Sequence, residues 1–172
     1  MISGEWLDSK KVDQVEWWHY VDIIIPKQTT SSTGIMFIDG GEKSEDYFRL
    51  DAQSIRNAIK TEAVIVNVSN IPFQPLNFLS SEQDSFEEDD LIAFAWNKFL
   101  KQGAKQKDVE WLPRFPMTRA IVRAMDLAQE IVLQNDIVVK DFVVSGASKR
   151  GWTAWTTAAV DSRVKAVVPM VI

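Results

Sequence analysis

The stretch VVSGASKRGWTAW (residues 143–155) contains the change of pattern that decides the fold. An apolar run stops at Ser145, a short polar segment flanked by Gly146 and Gly151 follows, and a tryptophan-containing segment comes directly after it. A strand that turns at once into a helix needs small residues in the turn, because a larger side chain would clash with neighbouring backbone. The pattern predicts a strand–turn–helix unit with Ser148 in the turn.

The remaining sequence alternates between apolar strands and amphipathic helices. Strands are predicted at 15–26, 34–39, 63–68, 137–146 and 164–172, and helices at 47–62, 81–103, 117–135 and 149–160. Such alternation is typical of an α/β fold, a mostly parallel sheet with helices on both faces. Because no linker divides the chain, residues 1–172 are predicted to form a single domain.

The composition excludes several classes of function. The net charge of −5 and the absence of a Lys/Arg block argue against binding to nucleic acid or to an anionic membrane. The longest apolar runs, such as 166–172, are too short to cross a bilayer, and the start MISGEWLDSKK lacks the apolar core of a signal peptide. With no cysteine and one histidine, thiolate chemistry is excluded and a His-rich metal site is disfavoured. No metal or organic cofactor is implied.

Ser148 lies where a nucleophile elbow would place a catalytic serine. In that motif the hydroxyl is raised above the sheet, and the first N–H groups of the following helix stabilise an oxyanion. The usual second glycine stands two places after the serine, but that position is Arg150 here, and Gly151 follows it. The alternative is that Ser148 caps the helix, since serine is a preferred capping residue.

Two cations follow the serine directly. Lys149 and Arg150 stand in the first turn of the predicted helix, where positive charge opposes the helix dipole. Three explanations are open: the two cations bind a substrate anion, they pair with a nearby carboxylate, or their side chains are simply solvated. Arg150 is a candidate for the substrate pocket.

The segment 143–172 resembles the elbow region of the PhoPQ-activated pathogenicity-related protein family, relatives of the α/β-hydrolases. The similarity continues through FIDGG (37–41), NIPFQPLNF (70–78), EDDLIAFAWNKFL (88–100) and EWLPRFPMTRAIVRAMD (110–126). The resemblance implies a serine-hydrolase-type protein that is exported to the periplasm or outside the cell and is associated with virulence. The elbow is also similar to that of glucuronoyl-type carbohydrate esterases, which have arginine at the position of Lys149.

An oxyanion hole needs two donors. The N–H of Lys149 would be the first, and the N–H of Gly41 is the predicted second, with Gly40 nearly equivalent. Both glycines end a predicted strand, so a plain strand-to-loop turn is the alternative. The long loop 69–81 is predicted to form a wall of the pocket with Gln74 and Asn77.

The remaining residues with side chains that could take part in catalysis or binding are interpreted as structural. His19 precedes the serine, whereas the order in α/β-hydrolases is serine, acid, histidine, and Asp161 is assigned to the turn before the last strand. The acids at 87–90 are interpreted as first-turn residues of a helix rather than a metal or acid–base cluster, although one of them could pair with Arg114, Arg119 or Arg150. Trp152 and Trp155 are predicted to pack in the core.

The sequence therefore predicts the nucleophile half of a serine hydrolase acting on a small-molecule, peptide or carbohydrate ester or amide. The domain is expected to be incomplete, with the acid and the histidine on strands after Ile172, so that the chain alone is inactive. Its last strand is expected to expose an edge through which copies could associate. The rival hypothesis is a non-catalytic secreted binding or signalling protein that keeps the fold.

Overall fold

The computed structural model describes residues 1–43 and 51–172. Its strands are β1 (Ile2–Glu5), β2 (Glu16–Trp18), β3 (Tyr20–Ile24), β4 (Thr33–Ile38), β5 (Ile65–Ser69), β6 (Asp141–Ala147) and β7 (Val164–Met170). Its helices are α1 (Ala52–Thr61), α2 (Glu88–Lys101), α3 (Arg114–Leu133) and α4 (Lys149–Val160), and a 3-10 helix spans Gln106–Trp111.

Five strands form a mixed sheet in the order β3-β5-β4-β6-β7. The strands β5, β4, β6 and β7 pair in parallel, and β3 pairs with β5 in the antiparallel direction. The strands β1 and β2 form a separate two-stranded sheet. The fold is therefore α/β with a mixed sheet, and the parallel strands place the loops after β4, β5 and β6 at one edge.

Successive side chains of the strands face opposite sides of the sheet, and each side is covered by helices. Val66, Val68 and Val144 belong to the main core with residues of α3 and α4. Asn67 points the other way and exchanges hydrogen bonds with Ser54 of α1. The sequence prediction of helices on both faces is confirmed in this part of the sheet.

Several predicted elements have different boundaries in the structure, and two of the differences have a visible cause. The strand predicted at 15–26 is two strands, β2 and β3, that belong to different sheets and are separated by His19. The helix predicted from residue 81 begins at Glu88, because Phe86 exchanges two backbone hydrogen bonds with Leu76 and keeps the preceding chain extended. In the helix predicted at 47–62, Phe48 lies outside the described residues.

The loop after β5 (residues 70–81, the β5 loop) is part of the core. Ile71, Phe73, Leu76 and Phe78 are fully or almost fully buried, and Phe78 stacks on Phe94 of α2 with ring centroids 4.4 Å apart. These apolar side chains anchor a segment that lacks regular secondary structure. The loop is therefore held in one position relative to the sheet edge.

The placement of Trp152 and Trp155 in the core was wrong. Their side chains are 48% and 57% exposed, because α4 packs on the sheet and α3 through its other face, with Ala154 buried. Helical spacing identifies residues that share a face but does not identify which face is covered. Trp17, by contrast, is completely buried and contacts Trp6 edge-on, with ring centroids 5.3 Å apart.

The strand β7 is at the end of the described sheet and carries exposed apolar side chains, including Val168 and Met170. Association of copies through this edge stays a prediction. Among the described helices, none combines the length and the apolar character that crossing a bilayer requires.

The contrast between Trp17 and Trp155 predicts very different effects of the same substitution. Trp17→Ala removes a buried ring and leaves a cavity, so we expect it to lower the free energy of unfolding by about 4 kcal/mol. Trp155→Ala removes an exposed ring and should change it by no more than about 0.5 kcal/mol. Urea unfolding followed by circular dichroism measures both values, and similar losses would contradict the described packing.

Candidate functional site

Ser148 connects β6 directly to α4 in a strained conformation. Its φ of 52° and ψ of −125° lie in a region that residues with a side chain rarely adopt. Its backbone N–H donates to the carbonyl of Met170 at 2.8 Å, which ties the turn to β7. The side chain is exposed, and within the described residues it makes no capping hydrogen bond to α4. The hydroxyl therefore does not serve as a helix cap.

Close packing in the turn at residues 146–151 (the elbow) requires glycine at position 146 and leaves little room for a side chain at position 151. A Cβ on Gly146 would lie 2.7 Å from the backbone carbonyl of Arg150, too close for any side chain. A Cβ on Gly151 would lie 3.0 Å from the carbonyl oxygen of Gly146. Gly151, which stands one position later than the second glycine of the usual motif, is thus packed against Gly146 in the same turn.

The loop after β4 (residues 39–43, the β4 loop) lies at the same sheet edge as the elbow. The register pairs Ile38 with Gly146, so β4 and β6 end side by side. A Cβ on Gly40 would lie 2.7 Å from the guanidinium of Arg150. Gly41 has a φ of +112°, which glycine adopts readily. Lys149 is the first residue of α4, so no intrahelical acceptor is available for its N–H.

The chain matches the model of the PhoPQ-activated pathogenicity-related protein family over residues 1–172. The chain belongs to this family. It is also 36% identical over 176 aligned positions to autocrine proliferation repressor protein A of Dictyostelium discoideum, and the match covers 100% of this chain and 34% of that protein. The chain thus spans about a third of the length of this curated relative. No solved structure matches it.

In this family member the cations after Ser148 are bound by carboxylates of α2. Lys149 Nζ lies 2.6 Å from Glu88 Oε2 and 3.0 Å from Asp89 Oδ1, and Arg150 donates to Glu88 Oε1. The Lys149 and Arg150 side chains are only 9% and 13% exposed. Of the three explanations for these cations, the nearby carboxylate is correct, and the expected pairing of one acid with Arg150 is confirmed.

Glu88 is held in its ionised form by these neighbours. Burial alone would raise the pKa of its carboxyl, but hydrogen bonds from Arg150, Lys149 and Gln74 outweigh that effect and lower the pKa to about 2. The backbone of Glu88 has a positive φ of 48°. Its N–H donates to Gln74 Oε1 at 2.8 Å, which fixes this unusual start of α2.

Gln74 connects the acid to the β4 loop. Its Nε2 donates to Glu88 Oε1 and to the carbonyl of Gly41, both at 2.9 Å. Arg150 adds a second connection, because its Nε donates to the carbonyl of Ile71 at 2.6 Å. The structure therefore joins the elbow, the β4 loop and the β5 loop through partly buried polar contacts.

The other candidates for the pocket have structural contacts. Asn77 accepts a hydrogen bond from the N–H of Ser85 at 2.6 Å, and its own N–H donates to Asp13 Oδ1 at 2.9 Å. Substrate contacts of Asn77, Gln74, Gly40 and Arg150 stay predictions. Asp161 ends α4 and pairs with Arg163 at 2.7 Å, in the turn predicted for it.

A cavity of about 330 Å³ opens on the α1 side of the sheet. Ser145, Gly146, Ala147 and Met170 line its side next to the elbow, and Asn67 and Ser54 are among its polar residues. On the other side of the sheet, the Arg114 guanidinium lies 4.4 Å from the centre of the Trp152 ring and donates to the carbonyl of Lys149 at 2.7 Å. The cavity and this aromatic–arginine pair therefore lie on opposite sides of the sheet, each formed in part by residues close to Ser148 in the chain.

The sequence predicted that one acid of 87–90 could pair with Arg150, but it missed the contacts of Glu88 with Lys149 and Gln74. Glu88 is 61 residues from Lys149 and 62 from Arg150, and Gln74 stands in a segment without periodicity. A separation of that size carries no local signal. The available indication was the pair of cations in the first turn of α4, which required a carboxylate from elsewhere.

His19 has a buried structural environment. Its Nε2 lies 2.9 Å from the Ser3 hydroxyl, and its Nδ1 lies 3.0 Å from the carbonyl of Asn70. A carbonyl only accepts, so Nδ1 carries the proton and Nε2 accepts from Ser3. Burial lowers the pKa of His19 to about 4, so the ring is neutral at pH 7.

The lowered pKa of His19 predicts a specific loss of stability in acid. The unfolded chain takes up a proton near pH 6.5 and the folded chain only near pH 4, so stability is complete above pH 6.5 and falls between these values. We expect a loss of about 3 kcal/mol from pH 7 to pH 4. Urea unfolding at several pH values measures it.

His19→Gln is the control, because it removes the titrating ring. The difference in unfolding free energy between the parent chain and the variant should shrink as the pH falls from 6.5 to 4. A difference that is constant over this range would contradict the assignment of a neutral, buried His19.

Proposed function

We propose that Ser148 is the nucleophile of a serine hydrolase with an α/β-hydrolase-like fold. One observation carries the proposal: an exposed serine hydroxyl, unused as a helix cap, is presented by a strained turn between a buried strand and a helix. Strain that the surrounding structure maintains is typical of functional sites. The parallel pairing of β5, β4, β6 and β7 supports the fold assignment.

The proposed reaction is acyl transfer from an ester or amide. Ser148 Oγ attacks the carbonyl carbon, the hydroxyl proton passes to a general base, and the carbonyl electron pair moves onto the oxygen. The N–H groups of Lys149 and Gly41 hold the resulting oxyanion. Collapse of this intermediate expels the leaving group and forms an acyl-serine, which water then hydrolyses.

In this proposal the base is a histidine other than His19, on a segment outside these 172 residues. His19 is the sole imidazole in the sequence, and both of its ring nitrogens are engaged with Ser3 and Asn70. The curated relative is about three times as long as this chain, so a comparable natural protein has room for a histidine and an acid on further segments. The substrate is a small-molecule, peptide or carbohydrate ester or amide. The family name supports an association with virulence, and a location in the periplasm or outside the cell is part of the proposal.

The second candidate is a signalling protein that keeps the fold without catalysis. The name of the curated relative, autocrine proliferation repressor protein A, favours it. The two candidates differ at Ser148: a hydrolase requires the hydroxyl, whereas a signalling surface tolerates its replacement by alanine as long as the elbow stays folded.

Labelling with a fluorophosphonate tests the nucleophile in the full natural protein that contains these residues. We expect covalent labelling of the parent protein and its loss in Ser148→Ala, because the probe reacts with an activated serine hydroxyl. Ser162→Ala, at an exposed serine after α4, should keep parental labelling. Labelling that persists in Ser148→Ala, or is absent from the parent protein, would favour the signalling candidate.

Hydrolysis of p-nitrophenyl acetate by the 172-residue chain tests the origin of the base. We expect background rates for the chain, for Ser148→Ala and for His19→Ala, and hydrolysis well above background for the full natural protein. Loss of a base removes most of the hydrolysis rate, while oxyanion donors alone leave a small residual rate. Robust activity of the short chain that both variants abolish would identify His19 as the base.

A further inference from the structure

We propose that Glu88 is the positioning residue of this site: it holds the two oxyanion donors, the N–H groups of Lys149 and Gly41, at a fixed separation. The inference rests on the proposed function of Ser148 and adds the element that sets the geometry of its oxyanion hole. Glu88 lies on α2, outside both of the loops that supply the donors.

The contacts of Glu88 fix the first donor through side chains. Its two carboxylate oxygens are divided between Lys149, at 2.6 Å from Oε2, and Arg150, which donates to Oε1. These are the first two residues of α4, so a rotation or shift of the start of the helix would break ion pairs whose cations are largely buried. The orientation of the Lys149 N–H follows from the position of that helical turn.

The contacts of Glu88 fix the second donor through Gln74. The Gln74 amide donates to Glu88 Oε1 and to the carbonyl of Gly41, and its oxygen accepts from the N–H of Glu88. Arg150 also packs against Gly40, where a Cβ would lie 2.7 Å from the guanidinium. Both connections lead from the same carboxylate to the β4 loop.

A role of Glu88 as a general acid is disfavoured by the same contacts. Two cations and an amide bind its oxygens, so the carboxylate stays ionised through the neutral pH range and has no proton to donate. Its influence on the reaction is therefore geometric. Oxyanion stabilisation is steeply sensitive to such geometry, because a displacement of about 1 Å can cost about a hundredfold in rate.

Fluorophosphonate labelling kinetics of the full natural protein separate binding of the probe from reaction with the serine. We expect Glu88→Gln to lower the maximal labelling rate by about tenfold to hundredfold, with the half-saturating probe concentration changed less than about twofold. The matched control is Glu87→Gln, which removes the same charge from the exposed neighbouring residue and should label like the parent protein. Gln74→Ala keeps both ion pairs and removes the connection to Gly41, so we expect a smaller decrease in the same parameter.

The variants are compared only after circular dichroism has shown that each is folded at the labelling temperature. The decisive variant is Glu88→Gln if it is folded, and Gln74→Ala if it is not. A slower maximal rate in the decisive variant with parental labelling in Glu87→Gln supports the inference. Equal maximal rates in the parent protein and the decisive variant, or a change confined to half-saturation, overturn it and leave the role of Ser148 intact. A parent protein that does not label overturns the proposed function itself.

Discussion

The arrangement of the sheet edge depends on the ion pairs that the Glu88 carboxylate forms with Lys149 and Arg150. Two cations stand at the positive end of α4, where the helix dipole repels them, and both are largely removed from water. Without the carboxylates of Glu88 and Asp89, both cations would be buried, uncompensated charges, which proteins rarely tolerate. The first turn of α2 is therefore required for the first turn of α4 to exist in its present form.

The elbow adds a steric constraint to this electrostatic one. Gly146 and Gly151 allow β6 and α4 to approach until a single Cβ would collide with backbone, and Ser148 adopts a positive φ to complete the turn. The hydrogen bond from the Ser148 N–H to Met170 and the parallel pairing of β6 with β7 hold that conformation. Strain at one residue is thus maintained by regular structure on both sides of it.

Local patterns predicted the strands β4, β5 and β6 and the helices α3 and α4, because apolar periodicity and glycine positions are properties of short segments. The same patterns could not separate β2 from β3, since the break at His19 follows from membership of two different sheets. They also placed Trp152 and Trp155 in the core, because periodicity does not reveal which face of a helix is covered. The position of Ser148 was available from the turn chemistry, and a pairing of one acid of 87–90 with Arg150 was among the expectations, whereas the contacts of Glu88 with Lys149 and Gln74 join distant segments and became visible only in three dimensions.

The contacts of the first strands have a kinetic consequence. Arg119 donates to the carbonyl of Glu5, and the Trp6 indole donates to the carbonyl of Glu110, so the start of the chain is completed by residues more than a hundred positions later. At a synthesis rate of about 5–20 residues per second, α3 is synthesised on the order of ten seconds after β1. During that interval Trp6 lacks its hydrogen bond to Glu110, and transiently exposed apolar surface of this kind makes a nascent segment prone to aggregation.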